Sequence, residues 1–148
     1  MAQFGRPTTD TTNDGAWTDQ GGGSTSLFLT IDETVASDTD YIRTALVPTS
    51  DVYVTELTNL TDPLSSAGHI IRWRRGKDAA GGATVNETVQ LRQGYTNEGA
   101  QGTLIATAVS AAATPDSFTD TSYTLSGAEA DAITDYTSLF LRFLANQV

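Results

Sequence analysis

The chain has 148 residues without a cysteine, and it contains a single histidine, His69, and a single lysine, Lys77. The lack of cysteine excludes a disulfide framework, a thiolate zinc site and a cysteine nucleophile. No apolar run approaches the roughly 20 residues that span a bilayer. The N-terminal sequence MAQFGRPTTD also lacks the basic and apolar segments of a secretory signal. These absences predict a soluble protein that is made in a cytoplasm and has no membrane partner.

Positive charge is also scarce, because 8 Lys and Arg face 18 Asp and Glu, giving a net charge of -10. Nonspecific nucleic-acid binding depends on neutralising phosphates, so this balance argues against a nucleic-acid partner. Four of the eight cations lie in the stretch GHIIRWRRGK at 68–77: Arg72, Arg74, Arg75 and Lys77. An acidic protein therefore concentrates its basic charge in one short apolar run.

What the sequence does contain is a series of short strand-like runs separated by turn residues. Alternating or apolar runs occur at 26–32, 36–44, 51–57, 69–75, 84–94, 103–110, 117–125 and 138–144. Their spacing of about ten residues leaves no room for crossover helices and predicts an all-β antiparallel sandwich. Ser126 and Glu129 have the spacing of a capping box, which predicts one short helix near 126–135. We expect the core to include Ile71, Trp73, Val89, Leu91, Leu139, Leu141 and Phe143.

Residues 1–26 are rich in Thr, Asp and Gly, and this composition predicts an extended N-terminal arm before a sandwich domain at 27–148. Three bulky or charged residues punctuate the arm: Phe4, Arg6 and Trp17. The arm is expected to contact either its own sandwich or a neighbouring chain. These three residues are therefore candidates for an interface.

Alternation along three strands predicts that several arginines point away from the core. If the strands share a sheet, their outward side chains form one arginine-rich, partly apolar face: Ile70, Arg72, Arg74, Arg92, Phe140 and Arg142. Two interpretations remain open at this stage. The arginines either pair with Asp and Glu of the same chain, or they dock on a partner, since contact surfaces are enriched in arginine and aromatic residues.

Signals for chemistry are weak, and we expect no catalytic residue, no cofactor and no metal. A lone His69 cannot complete a histidine zinc site. Asp38 and Asp40, near Asp32 and Glu33, are compatible with a calcium cluster but lack the spacing of a calcium loop, so a solvated turn is the simpler interpretation. The sequence has no evident pair of catalytic carboxylates in a recognisable setting.

Four segments, taken in order, resemble a family of small virion proteins of tailed bacteriophages. They are FGRPTTDTTNDGAWTDQGGGSTSLFLTIDETVASDTDYIRT (4–44), LTDPLSSAGHIIRWRRGKD (60–78), VQLRQG (89–94) and TLSGAEADAITDYTSLFLRF (124–143). The resemblance implies a non-enzymatic structural protein with a β-sandwich or jelly-roll-like domain. It departs from longer members of the family in being a single domain, which favours a small accessory protein over a tail fibre.

Within that resemblance, the first hypothesis is a capsid decoration protein on the head surface, made in the bacterial host cytoplasm. Its expected partners are the major capsid protein and other copies of itself. The alternative is an adhesion or carbohydrate-binding module of the tail or head surface, for which Tyr95, Tyr123 and Trp17 are candidate aromatic residues. An enzyme such as a depolymerase is the third hypothesis.

Overall fold

The computed structural model describes residues 2–15 and 17–148, and its regular elements are nine strands and one α-helix with two short 3₁₀ turns. The strands are β1 (Pro7–Asp14), β2 (Thr18–Asp19), β3 (Ile42–Arg43), β4 (Thr49–Leu57), β5 (Ile70–Arg75), β6 (Val85–Gln93), β7 (Thr103–Ala113), β8 (Thr119–Thr124) and β9 (Leu139–Gln147). The helix α1 spans Gly127–Asp131, and the 3₁₀ turns span Leu27–Thr30 and Ala79–Gly81.

The strands form one large sheet and two small ones, and all pairs are antiparallel. The main sheet has five strands in the order β1-β4-β9-β6-β7, while β2 pairs with β3 and β5 pairs with β8. The inner face of the main sheet packs against the β5–β8 sheet and α1 through one apolar cluster that includes Leu57, Ile71, Leu91, Leu125, Ile133 and Leu139. The predicted all-β antiparallel sandwich with a short helix is confirmed.

The predicted core residues lie on this inner side of the main sheet and on the strand that covers it. Ile71, Val89, Leu91 and Leu139 are buried. The other three are partly buried: Trp73 and Leu141 pack against the same cluster, and Phe143 stacks on Tyr53. Burial of the alternate residues Val89 and Leu91 on β6 follows from the two-residue repeat of a strand.

The capping box is also confirmed, although the helix is shorter than predicted. Glu129 N donates to Ser126 Oγ at 3.3 Å, and Ser126 N donates to Glu129 Oε2 at 2.7 Å. The helix ends at Asp131 rather than near residue 135. Gln93 Oε1 accepts from the amides of Thr134 and Asp135 at 2.8 Å each, which holds the following residues in a non-helical link to β9.

One predicted strand is wrong. Leu27–Thr30, inside the run at 26–32, forms a 3₁₀ turn instead of a strand. Asp10 on β1 explains the difference, because its carboxylate accepts the amides of Leu27 and Phe28 at 2.8 Å each. Those two amides therefore turn toward a side chain and cannot pair with a neighbouring strand. Leu27 itself is buried and anchors the turn.

The predicted arm is not a separate extension, because residues 7–14 form the edge strand β1 of the main sheet. β1 pairs with β4 from Pro7↔Leu57 to Asp14↔Val52, with two register shifts. A boundary at residue 26 consequently cuts one strand from the sheet it belongs to. The arm was expected to contact either its own sandwich or a neighbouring chain. The described residues show contact with its own sandwich.

The outer face of the main sheet is covered by the loop at 94–102 between β6 and β7. Tyr95 in this loop is buried against Val52, Val54 and Phe140, and its hydroxyl lies 3.0 Å from Thr12 Oγ1 on β1. The loop therefore crosses the sheet from β6 toward the opposite edge. Predicted interface residues on this outer face are therefore buried beneath the loop.

Candidate contact surfaces

The cations of the stretch at 68–77 point in different directions, and most of them serve the fold. Arg74 lies on the outward side of β5 and bonds Asp38 and Asp120 while its guanidinium sits 5.9 Å above the Phe118 ring. Lys77 pairs with Asp116. The bonds from Arg74 hold the pKa of Asp38 below its usual range. Both oxygens of Asp38 accept from Arg74, so this carboxylate is engaged in an ion pair.

Arg75 points the other way, into the sandwich, where it joins the two layers. Its Nη1 donates to Glu87 Oε2 on β6 at 2.7 Å, and its Nε donates to Thr121 Oγ1 on β8 at 3.2 Å. Burial raises the pKa of Glu87 despite this pairing. The basic run therefore cross-links β5 to its neighbours. For Arg74, Arg75 and Lys77, these contacts agree with pairing inside the same chain, the first of the two interpretations.

The prediction of one common arginine face is wrong. β5, with Arg72 and Arg74, belongs to the small β5–β8 sheet, whereas Arg92 on β6 and Arg142 on β9 belong to the main sheet. The strands that carry these arginines lie in different layers, so their outward faces are different surfaces. Local alternation predicted the direction of each side chain correctly but not the sheet in which each strand lies.

Phe140 and Arg142 are not contact residues, because both are buried under the 94–102 loop, with 6% and 7% of their surface exposed. Arg142 makes a bidentate ion pair with Glu98, in which Nε donates to Oε1 at 2.9 Å and Nη2 donates to Oε2 at 2.7 Å. The same contact lowers the pKa of Glu98. Arg92 is half-buried beside them, donating to Gln90 Oε1 and to the carbonyl of Gln101.

The three candidates in the N-terminal segment differ in exposure. Phe4 is 64% exposed, and the guanidinium of Arg6 sits 5.7 Å above its ring while also donating to the carbonyl of Glu33. Trp17 is half-buried, and its ring centroid is 6.1 Å from that of Tyr53. Phe4 is therefore available to a partner, Arg6 is partly engaged, and Trp17 belongs to the sandwich.

Ile70 and Arg72 are the predicted interface residues that remain together on an exposed surface. Both point outward from β5, opposite Thr124 and Ser122 of β8, and Ile70 is 41% exposed. Within residues 2–15 and 17–148, no carboxylate lies within 4 Å of the Arg72 guanidinium. Among the described residues, a cation with no carboxylate partner therefore stands beside an aliphatic side chain on an acidic protein.

Two features at opposite ends of the main sheet were missed by sequence reasoning. The first, which we name the 43–48 loop, links β3 to β4 and exposes Leu46 almost completely. The second is an open cleft of about 420 Å³, whose lining residues are Asp62, Leu64, Ser65, Ser66, Ala130, Asp131, Ile133 and Tyr136. The adjacent apolar residues in TALVP (44–48) could have indicated the exposed loop. The cleft had no such local signal, because it joins segments that are distant in sequence.

The aromatic residues considered for sugar binding are engaged inside the fold. Tyr95 is buried and donates to Glu98 Oε1 at 2.8 Å, and Tyr123 donates to Glu129 Oε1 at 2.8 Å. Trp17 packs on Tyr53, as described above. These three side chains do not form a common exposed platform for a sugar ring. Tyr136 in the cleft is a better placed aromatic residue, held by a 2.7 Å hydrogen bond with His69 Nε2.

The part of the chain that the structure describes contains neither a metal-binding cluster nor a membrane-spanning helix. In residues 2–15 and 17–148, no three His, Cys, Asp or Glu side chains are grouped to hold a metal ion. No helix in that part of the chain has the length and hydrophobicity to cross a lipid bilayer. Neither a protein-family model nor a curated protein or solved structure matches this chain.

Proposed function

We propose that this chain is a non-enzymatic structural protein of a tailed-bacteriophage virion that decorates the surface of the assembled capsid. The four ordered segments that resemble small virion proteins motivate the proposal. The partners are the major capsid protein and other copies of this chain. The protein is made in the bacterial host cytoplasm and joins the particle after the shell has assembled.

The exposed pair Ile70 and Arg72 is the observation that carries the proposal. An exposed arginine on a protein of net charge -10 would ordinarily be drawn to a carboxylate of its own chain, as Arg74 is. Arg72 instead stands beside Ile70 with no such partner among the described residues. Removing the apolar side chain from water and pairing the guanidinium with a carboxylate both favour contact with an acidic partner surface.

A rigid sandwich suits this role, because a preorganised protein loses little conformational freedom when it binds a partner. The Arg75–Glu87 pair ties the two layers together, and the Arg142–Glu98 pair fixes the loop over the outer face. Fixed side chains lose little conformational freedom when a partner binds.

Sedimentation with purified particles tests the proposal. We expect the wild-type chain to sediment with particles of the phage that encodes it, to saturate, and to bind more weakly as salt is added, since exposed charges are screened over about 10 Å at 0.1 M. Replacing Ile70→Ser and Arg72→Gln together should weaken binding roughly tenfold, as for a small group of important contact residues. Leu29→Ser, which changes another exposed apolar residue, is the matched control.

A wild-type chain that stays in the supernatant at every particle concentration contradicts the proposal. The second candidate, a carbohydrate-binding module, is favoured by the polar cleft, because carboxylates, serine hydroxyls and Tyr136 are groups that bind sugar hydroxyls. Retention on immobilised host polysaccharide, abolished by Tyr136→Ala, together with failure to sediment, would support that second function instead.

A further inference from the structure

The 43–48 loop exposes three consecutive apolar residues at its tip. Leu46 is 96% exposed and Val47 is 59% exposed, and Ala45 before them is exposed as well. Single apolar residues are common on protein surfaces and need no explanation, whereas an exposed run of three is typical of a contact site. The tip of this loop is therefore a candidate surface for a partner.

The loop is held at both ends, so its tip is presented in a fixed position. Arg43 at its start pairs with Thr18 in the β2–β3 sheet. Pro48 at its end is buried, and the Pro48 carbonyl accepts from Gln147 N at 2.9 Å. Because the loop is already anchored, little conformational freedom is lost when a partner covers it.

An open hollow of about 430 Å³ lies beside the tip on the same surface. Most of its lining is apolar, and the lining residues are Thr18, Arg43, Thr44, Ala45 and Leu46. The hollow is large enough to admit a leucine side chain, since pockets for small molecules begin at roughly 300 Å³. One molecule therefore carries an apolar projection and an apolar hollow next to each other.

Two side chains of opposite charge flank the loop without forming ion pairs among the described residues. Arg43 is exposed, and no carboxylate in residues 2–15 and 17–148 lies within 4 Å of its guanidinium. Asp14 is also exposed and has no Lys, Arg or His within 4 Å in the same part of the chain. Asp14 pairs with Val52 of β4, four residues after Pro48. Arg43 thus lies at the start of the loop and Asp14 near its end.

We propose that two copies of this chain associate through their 43–48 loops about a two-fold axis, with Leu46 of each copy in the hollow of the other and Arg43 of each paired with Asp14 of the other. Self-complementarity selects a second copy as the occupant. The same surface carries both an apolar projection and an apolar hollow, and both a cation and a carboxylate without partners among the described residues. This inference rests on the part of the proposed function that names other copies of the chain as partners.

A two-fold contact closes on itself, because the same surface is used by both copies, so it gives dimers and not rows. The composition of the loop suits a contact between copies that each carry a charge of -10. Arg43 is the only charged residue in the segment 41–50, so this segment brings no carboxylate against the acidic partner. Screening over about 8 Å at physiological ionic strength reduces the remaining long-range repulsion.

Sedimentation velocity of the purified chain at physiological salt tests the contact. We expect dimers whose fraction rises with protein concentration, and no larger species. Leu46→Ser should weaken dimerisation roughly tenfold or more, because each dimer loses this apolar contact twice. Val35→Ser changes another apolar residue, which is 78% exposed, and as the matched control it should leave the dimer unchanged.

Charge reversal tests the pairing of Arg43 with Asp14. Arg43→Asp should weaken dimerisation roughly tenfold, and so should Asp14→Arg, because each places like charges together in both halves of the contact. Combining the two substitutions in one chain restores opposite charges and should restore the dimer. Arg72→Asp makes the same change of net charge at another exposed arginine and should leave the dimer nearly unchanged.

Several results would overturn this contact. A wild-type chain that stays monomeric up to about 1 mM contradicts it, and so does a dimer that Leu46→Ser and Val35→Ser weaken equally. A double charge variant as weak as the single variants contradicts the Arg43–Asp14 pairing. If the monomeric chain sediments with particles and Leu46→Ser weakens that binding, the loop binds the capsid and not a second copy. Since the velocity experiment uses the purified chain alone, its failure refutes the contact between copies without deciding whether the chain binds particles.

Discussion

Asp10→Ala is expected to lower the free energy of unfolding by about 3–5 kcal/mol, because it leaves several buried donors without an acceptor at once. The Asp10 carboxylate accepts from the Tyr53 hydroxyl at 2.7 Å and from the amides of Leu27 and Phe28 at 2.8 Å each. Tyr53 is completely buried, and burial together with Asp10 raises the pKa of its hydroxyl. One side chain thus joins β1, β4 and the 3₁₀ turn.

Urea unfolding followed by tryptophan fluorescence would measure this loss. Asp14→Ala is the matched control, since Asp14 is an exposed aspartate on the same strand and its removal should change the free energy by about 0.5 kcal/mol or less. In the Tyr53→Phe background the effect of Asp10→Ala should be smaller, because one of the donors is already absent. Equal effects of Asp10→Ala and Asp14→Ala would contradict this role.

The same contacts change what is expected of an N-terminal deletion. From the sequence, removing residues 1–26 would leave the sandwich folded and weaken only its attachment to particles. In the structure this deletion removes the edge strand β1, exposes the hydrogen-bonding edge of β4 and takes away Asp10. The truncated chain is therefore expected to lose its stability, so it is not a clean test of attachment.

Glu98→Ala is expected to destabilise the protein by about 3–5 kcal/mol, the usual effect of leaving a buried charge unpaired. Its partner Arg142 has only 9% of its side chain exposed, and among residues 2–15 and 17–148 no other carboxylate lies within 4 Å of its guanidinium. Glu98 also accepts from Tyr95 and Gln101, so the 94–102 loop would detach from the outer face. Asp120→Ala removes a carboxylate from an exposed arginine pair and should leave the unfolding transition unchanged.

The Glu98 effect should depend on pH with a definite sign. Arg142 holds the pKa of folded Glu98 below its ordinary value of 4.5. A lowered folded pKa gives stability that is present above the unfolded pKa and lost as pH falls through the folded pKa. The difference between wild type and Glu98→Ala should therefore be full near pH 7 and shrink below about pH 4. A difference that stays constant from pH 7 to pH 3 would mean that the ion pair is not its cause.

Local sequence patterns predicted much of the fold because strand alternation and helix capping are short-range properties. The placement of Ile71 and Val89 in the core and of Ser126 at the helix start followed from neighbouring residues alone. The burial of Arg142 did not, because it depends on a loop more than forty residues earlier in the chain. Alternation placed that side chain on the correct face, but it does not report what covers the face.

The partition of strands between layers was the other information that local patterns lacked. Arg72 and Arg92 have similar surroundings in the sequence, yet pairing places one in the β5–β8 sheet and the other in the main sheet. The Thr- and Asp-rich segment at 7–14 has no apolar alternation and becomes a strand because the edge of β4 pairs with it. Its low hydrophobicity suits an edge strand, whose exposed side must resist pairing with other chains.

Cryo-electron microscopy of the intact virion tests the central claim most directly, by showing where this chain lies and in how many copies. We expect density for the sandwich on the outside of the capsid in many copies that follow the lattice of the shell. The surface carrying Ile70 and Arg72 should face an acidic region of the major capsid protein. Particles that lack this chain, or that carry it only on the tail, would contradict the account.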